Sequence, residues 1–361
     1  MTEILDNTQP AEKILVIRML STADICAIGL PVVRYFKQQN PNAELHFLTF
    51  GDGVKLMKLA EPEVKVYGLT KAQWPDDFFQ GLEAFLALAE EIVGEAYSQI
   101  INLDTSFMPC FLARFLKDAL EPVSGNFLSL SVKELLTQVQ NQTLEADYVN
   151  SPQRFTDSTF SLMYKWHSQW WKYEDAPDGG YPEFYLKKCC GLVVDKLQSE
   201  IIVTPDKRLS KNQKKTKVIG LCFEQSADSY VYPYQGELKK SLEQLGYVVW
   251  VEQDCKGDLK QLLKMLTASD LMVCKSAAVR WYAQAVECPT LLVSGASEPS
   301  LLMPEFATDT VSPCLRHSAG SNTLGQTNAR ACNCDNAADL TESIESIFEH
   351  LAEEAQGVHN G

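Results

Sequence analysis

Short apolar runs alternate along this chain with longer segments whose apolar positions recur every three or four residues, the signature of buried strands joined by amphipathic helices. The run Ile-Leu-Val-Ile-Arg over 14–18 predicts a strand, followed by a polar turn, a helix over 25–39 that stops at Asn40-Pro41-Asn42, and a second strand over 44–49. The rhythm continues with a helix near 54–59, a strand over 64–68, a long amphipathic helix over 78–95, a strand over 99–102 with Asp104 just beyond it, and a helix over 109–116. Strands that alternate with helices of this length imply a parallel sheet.

The pattern breaks over about 150–183, where Trp166, Trp170, Trp171, Tyr173 and Tyr181 crowd a polar stretch containing proline and glycine. Such aromatics either line a ligand cleft or pack a seam between domains. A helix over 183–195 and the apolar run 201–203 come next, and the lysine-rich stretch 207–217 reads as a solvated linker. A second series then begins: strand 217–223, helix 237–245 stopped by Gly246, strand 248–252, helix 259–267, strand 271–274, helix 277–286, strand 290–294, and a final amphipathic helix over 338–355. At 361 residues the chain exceeds what one core usually fills, so two domains are expected, 1–205 and 206–361.

Composition narrows the function. With 47 acidic against 32 basic residues the net charge is −15, which argues against a nucleic-acid groove. Residues 1–12 are polar and acidic, without the basic start and apolar core of a secretory signal, and no run reaches the ~18–20 apolar residues of a membrane span. The expectation is a cytoplasmic protein. Eleven cysteines, an odd number that includes the adjacent pair Cys189-Cys190, fit reduced thiols better than a disulfide framework. No Gly-x-Ser-x-Gly or His-Glu-x-x-His pattern supports hydrolase chemistry, and Gly51-Asp52-Gly53 does not open a helix after the first strand as a phosphate-binding fingerprint would.

Asp24 stands where chemistry is expected, because ligands collect at the carboxyl ends of parallel strands. Read locally, it is also a suitable N-cap for a helix beginning at 25, and the two roles are compatible. The backbone amides around Ser21, Thr22 and Ala23 would offer a helix N-terminus to a phosphate or sugar oxygen.

The stretch Ile14-Leu-Val-Ile-Arg-Met-Leu-Ser-Thr-Ala-Asp24, followed by Gly29-Leu-Pro-Val-Val-Arg34, resembles the opening of glycosyltransferase family 9, the ADP-heptose:lipopolysaccharide heptosyltransferases. The resemblance continues in Asn40-Pro-Asn-Ala-Glu-Leu-His-Phe-Leu-Thr49, in Leu266–Cys274 and in Cys288–Pro299. It implies a GT-B fold of class α/β: two Rossmann-like domains with parallel sheets facing across a cleft, acceptor side first and donor side second. Epimerases and periplasmic-type binders share that outline, so the outline by itself leaves function open. The family's activity is inverting transfer of a sugar from a nucleotide sugar to a hydroxyl in lipopolysaccharide or cell-envelope assembly, with no required cofactor and ADP-heptose as the expected donor. The implied partners are that nucleotide sugar and a saccharide or lipid-linked acceptor, met by peripheral contact at the inner face of the membrane, and no nucleic acid. Asp24 aligns with the family's proposed base, with Arg18, Ser21 and Thr22 forming the turn around it. Where the family commonly has Asp-[ST]-Gly-x-x-His, this chain reads Lys275-Ser-Ala-Ala-Val-Arg280, so Lys275, Ser276 and Arg280 become the donor-side candidates. The two cations would neutralise a diphosphate or simply lie at the surface. Tyr230 keeps the aromatic-proline end of another donor loop while losing its basic residue.

These departures leave two further readings open: a family member without transfer activity that binds or scaffolds, and a transferase for a different nucleotide sugar. Cys314, Cys332 and Cys334, with His317, echo a cysteine-bearing loop of the family, yet they lack the Cys-x₂-Cys spacing of ordinary zinc sites, and no metal is expected.

Overall fold

The structure is a computed structural model that describes residues 12–69, 78–168, 170–172, 176–194, 196–213, 216–223, 232–293, 299–308 and 335–357. The chain divides into two compact units, Met1–Ser199 and Glu200–Gly361. Residues 200–205 go with the second unit because the Ile201 N–H donates to Ala285 O and the Asp206 N–H to Lys264 O.

The first unit is built on strands β1 (Lys13–Ile17), β2 (Glu44–Phe50), β3 (Lys65–Leu69), β4 (Gln99–Asn102), β5 (Val123–Leu128) and β6 (Thr156–Ser158), in the spatial order β3-β2-β1-β4-β5-β6. The first five are parallel, and β6 adds to β5 antiparallel. Strands β5 and β6 fall in a region where the apolar pattern is too interrupted to announce them. β1 is buried on both faces, as a covered parallel sheet requires: Leu15 and Ile17 join a cluster with Phe85, Phe111 and Leu116, while Ile14 and Val16 are buried on the opposite face. Helical backbone runs without a break from Thr22–Asp24 through a widened π turn, Ile25–Gly29, into Leu30–Gln39. Pro31 explains the widening, since it has no N–H for the carbonyl four residues back and its ring would crowd that group.

The second unit carries five parallel strands, β7 (Val218–Cys222), β8 (Val248–Val251), β9 (Leu271–Cys274), β10 (Thr290–Leu292) and β11 (Phe306–Ala307), in the order β11-β10-β9-β7-β8. Ile219 and Leu221 pack with Leu238 and Leu242 of the helix Gln235–Gln244 and with Leu340 and Ile344 of the helix Ala337–Gly357. Gly246, with φ of +92°, stops the first of these helices as its position suggests.

Two readings from the sequence are corrected. The lysine-rich stretch is not a plain linker: Lys207–Gln213 is helical. Asp206 Oδ1 accepts from the N–H groups of Arg208 (2.9 Å) and Leu209 (3.1 Å), and Leu209 is buried, so one apolar residue and a capping carboxylate outweigh the charge pattern. The helix expected over 183–195 begins earlier and ends earlier, as Gly180–Glu183 followed by the π turn Phe184–Cys189. Among the described residues no helix is long and apolar enough to cross a membrane.

Gly125 adopts φ of +88°, and a Cβ there would stand 2.1 Å from the carbonyl oxygen of Asn102, its register partner on β4. Gly125→Ala is expected to destabilise the protein by about 2–4 kcal/mol, read as a lowered urea midpoint; an unchanged midpoint would contradict this close approach. Glu95 accepts from Lys13 Nζ (2.7 Å), Lys65 Nζ (2.9 Å) and the Tyr67 hydroxyl (3.1 Å), bonds that tie β1 and β3 to the end of the helix Phe78–Gly94. Those partners, Lys13 first, push its carboxyl down to about 2 from an ordinary 4.5. Because the folded value is depressed, the stabilisation is complete above pH 4.5 and is lost as pH falls toward 2. Thermal midpoints measured across that window should fall less steeply for Glu95→Gln than for wild type; identical slopes would remove Glu95 from the acid response.

Candidate active site

In the first sheet β1 lies between β2 and β4, so successive connections leave in opposite directions and a crevice opens at the carboxyl ends of β1 and β4. Arg18 is the first residue past β1, and Leu103 and Asp104 follow β4 directly. The Arg18 side chain is only 2% exposed. It forms a two-point ion pair with Asp24, Nε bonding to Oδ2 and Nη2 to Oδ1 (2.9 Å), and Nη1 donates to the carbonyl of Leu103. The guanidinium also lies 5.0 Å from the ring centroid of Tyr185. Burial acts to lower the Arg18 pKa, but the adjoining Asp24 carboxylate outweighs it and holds the value above the ordinary arginine range.

Asp24 is itself 6% exposed and is not the helix cap. Ser21 takes that place, its Oγ accepting from the Asp24 N–H (3.3 Å), so Asp24 is the third residue of the helix and its carboxylate turns back toward Arg18. The capping role read from the sequence is therefore corrected: Ser21 precedes the helix in extended backbone, and the helix starts earlier than expected, at Thr22. The Tyr181 hydroxyl donates to Asp24 Oδ1 at 3.2 Å. Burial first, then Asp24, pushes the Tyr181 phenol well above its ordinary range, so it remains a donor. A carboxylate offers about four lone-pair directions, and among the described residues these three donors leave one on Oδ2 for an incoming hydroxyl.

Asp104 was noted in the sequence only by its place after a strand, and its role is structural. Its Oδ2 accepts from the Met19 N–H (2.7 Å), and its Oδ1 accepts from Ser106 N–H (2.9 Å) and Oγ (2.6 Å), clamping the turn after β1 to β4. Asn126 and Tyr185 complete the frame: Asn126 Nδ2 donates to Asp104 O (2.9 Å) and Tyr185 OH (3.1 Å), and Tyr185 OH donates to Leu103 O (2.7 Å). Sequence reading missed both Tyr185 and Asn126. Neither carried a signal in the sequence, since the strand holding Asn126 is not announced by the apolar pattern and Tyr185 lies in a π turn. The described aromatics that the sequence singles out over 150–183 pack inside this unit, while Tyr173 lies outside the described residues. Trp166 lies 4.8 Å from Tyr185 and 6.1 Å from Tyr181, and Trp170 stacks on Phe184 at 3.9 Å, between ring centroids.

In the second unit β7 is flanked by β8 and β9, which makes another switch point. Lys275 and Ser276 follow β9 at its carboxyl end, with Ser276 at the N-terminus of the helix Ala277–Ala285, a position suited to an anion. Neither Lys275 nor Arg280 is the surface cation that one reading allowed, since both are buried. Arg280 pairs with Glu305 (3.2 Å) and donates to Met303 O (2.9 Å), and burial lowers its pKa. Arg280 thus braces the segment leading to β11. Tyr230, Cys314, His317, Cys332 and Cys334 lie outside the described residues. Among the described residues no cluster of His, Cys, Asp or Glu is arranged to hold a metal ion.

One sheet parallel but for its edge strand β6 and one wholly parallel sheet, each with its switch point, match the GT-B fold of solved glycosyltransferase structures. The resemblance to glycosyltransferase family 9 read from the sequence is met by solved structures with this fold. A family 9 glycosyltransferase from Veillonella parvula superposes with a TM-score of 0.59 at 11% identity, covering 94% of this chain and 98% of its own. The ADP-heptose lipopolysaccharide heptosyltransferase II of E. coli gives 0.55 at 14% identity, with 95% and 99% covered. An E. coli heptosyltransferase with bound ADP gives 0.51 at 12% identity, with 93% and 98% covered. No protein-family model and no curated protein matches the sequence.

Removing one member of a buried ion pair strands the other, which costs about 3–5 kcal/mol, whereas replacing both with apolar residues of similar volume is often neutral. Asp24→Ala should therefore lose about 3–5 kcal/mol in chemical denaturation, and the double variant Arg18→Met/Asp24→Leu should lose clearly less. A double variant as unstable as the sum of the singles would mean that the pair is not the unit of stability.

Proposed function

We propose that this protein transfers a sugar from a nucleotide sugar to a saccharide hydroxyl, with Asp24 as the general base. The observation that carries the reading is the carboxylate of Asp24 at the β1–β4 switch point, oriented by Arg18 and Tyr181 and left with one open lone pair. Asp24 Oδ2 takes the proton of the acceptor hydroxyl as that oxygen bonds to the anomeric carbon. The bond from that carbon to the phosphate oxygen breaks with inversion, and its electron pair leaves on the nucleoside diphosphate. Lys275, Ser276 and the helix N-terminus behind them are assigned to the leaving diphosphate. Similar structures that carry ADP or an ADP-heptose analogue make ADP-heptose the first donor to try, with a cell-envelope saccharide, free or lipid-linked, as acceptor.

One observation favours a binding protein without transfer: Arg280, a candidate for the diphosphate, is already engaged with Glu305 and Met303 O. Thermal unfolding in the presence of ADP-, GDP- and UDP-sugars separates the readings. A true donor at 100 times its Kd stabilises by about 2.7 kcal/mol, and stabilisation by GDP- or UDP-sugar alone would change the donor. Asp24→Asn, which preserves shape and most of the hydrogen bonds, should keep that stabilisation while turnover falls about 10²–10⁴-fold. Full turnover in this variant would exclude Asp24 as the base, and the absence of stabilisation by any nucleotide sugar would overturn the transferase reading.

A further inference from the structure

The first unit holds a second concavity, of about 550 Å³, well within the roughly 300–1,000 Å³ that small-molecule sites occupy. Strand β6 supplies Thr156, Asp157 and Ser158 to its wall, and the turn Met163–His167 supplies Tyr164 and His167. Tyr164 is 68% exposed, which leaves its ring accessible at the rim of the pocket. Among the described residues, charge in the lining is confined to the carboxylate of Asp157, and no lysine or arginine lines the pocket. Arg154, two residues before β6, is paired with Glu145 (2.8 Å) and Asp147 (2.5 Å). Burial lowers the pKa of His167, which keeps its imidazole uncharged at neutral pH. The described wall therefore offers hydroxyls, one acceptor carboxylate and an aromatic face, and none of its described residues compensates a ligand's negative charge. That set recognises the hydroxyls and the apolar C–H face of an uncharged sugar and disfavours a phosphate or a sugar acid.

The pocket is mechanically joined to the ion pair. Ser158 Oγ donates to Asn126 Oδ1 (2.7 Å), Asn126 Nδ2 donates to Tyr185 OH, and Tyr185 OH donates to Leu103 O, the carbonyl that also receives Arg18. One hydrogen-bonded frame thus positions both the pocket wall and Asp24.

We infer that this pocket binds a neutral saccharide and serves as the acceptor subsite, an assignment that rests on the transferase reading for its second half only. The test is saturation-transfer-difference NMR on the full chain with maltose, lactose and mannobiose as neutral probes, and with glucuronate and inorganic phosphate as anionic ones. At least one neutral disaccharide should receive saturation and compete with the others. Tyr164→Ala and Asp157→Ala, both at exposed positions, should each weaken its binding at least tenfold while leaving nucleotide-sugar stabilisation unchanged. The inference is overturned if no neutral probe receives saturation, if neither variant weakens binding, or if glucuronate or phosphate binds as tightly as the best neutral sugar. Neutral-sugar binding that depends on Tyr164, in a protein that no nucleotide sugar stabilises, would uphold the pocket and defeat the transferase reading instead.

Discussion

A guanidinium withdrawn from water at the end of a central strand must be paired, and the pairing of Arg18 organises the first unit of this protein. Its backbone N–H donates to Leu48 O at 3.0 Å, continuing the sheet and fixing the backbone from which the side chain starts. Asp24 must then return to meet it within six residues, which places the helix start at Thr22 and requires a cap at Ser21. Leu103 O supplies the remaining partner from the neighbouring strand, so the loops after β1 and β4 are held by one charge.

Around that charge the polar groups are consumed in order. Asp104 satisfies the turn after β1, Asn102 Oδ1 accepts from the Asp104 N–H at 3.0 Å, and Asn102 Nδ2 donates to Asn126 O at 2.7 Å. Buried networks of this kind are stable only when each member is satisfied, and here that condition holds from Arg18 through to Ser158 on the edge strand. The two units treat buried cations differently. Arg18 is matched by a carboxylate at two points, whereas Arg280 has Nε and Nη1 without hydrogen-bond partners among the described residues and a lowered pKa.

Much of the fold was legible because burial on both faces makes parallel strands read as uninterrupted apolar runs, and β4, β9 and the helix Leu259–Thr267 match their expected limits. Strands β5 and β6 were not legible. Val-Ser-Gly-Asn-Phe-Leu contains a glycine and an asparagine whose presence makes sense only beside Asn102 and Ser158, and Thr-Asp-Ser has no apolar residue at all. The π turns at Ile25–Gly29 and Phe184–Cys189 were hidden for a similar reason, since a helical periodicity does not reveal one extra residue in a turn.

The alternation of apolar runs and amphipathic segments, read from the sequence alone, determined two α/β halves and the position of Asp24 after the first strand. Local pattern suffices for these because strand and helix periodicities are properties of neighbouring residues. Only the tertiary structure decided that Asp24 is a carboxylate held by Arg18 and Tyr181 rather than a helix cap, and that Arg280 braces Glu305 rather than facing solvent. It also brought the polar residues of β6 to a pocket tied to the same frame. Tyr181 is 157 residues from Asp24 along the chain, and a hydrogen bond over that separation exists only once the sheet has been assembled and water excluded from between the two groups.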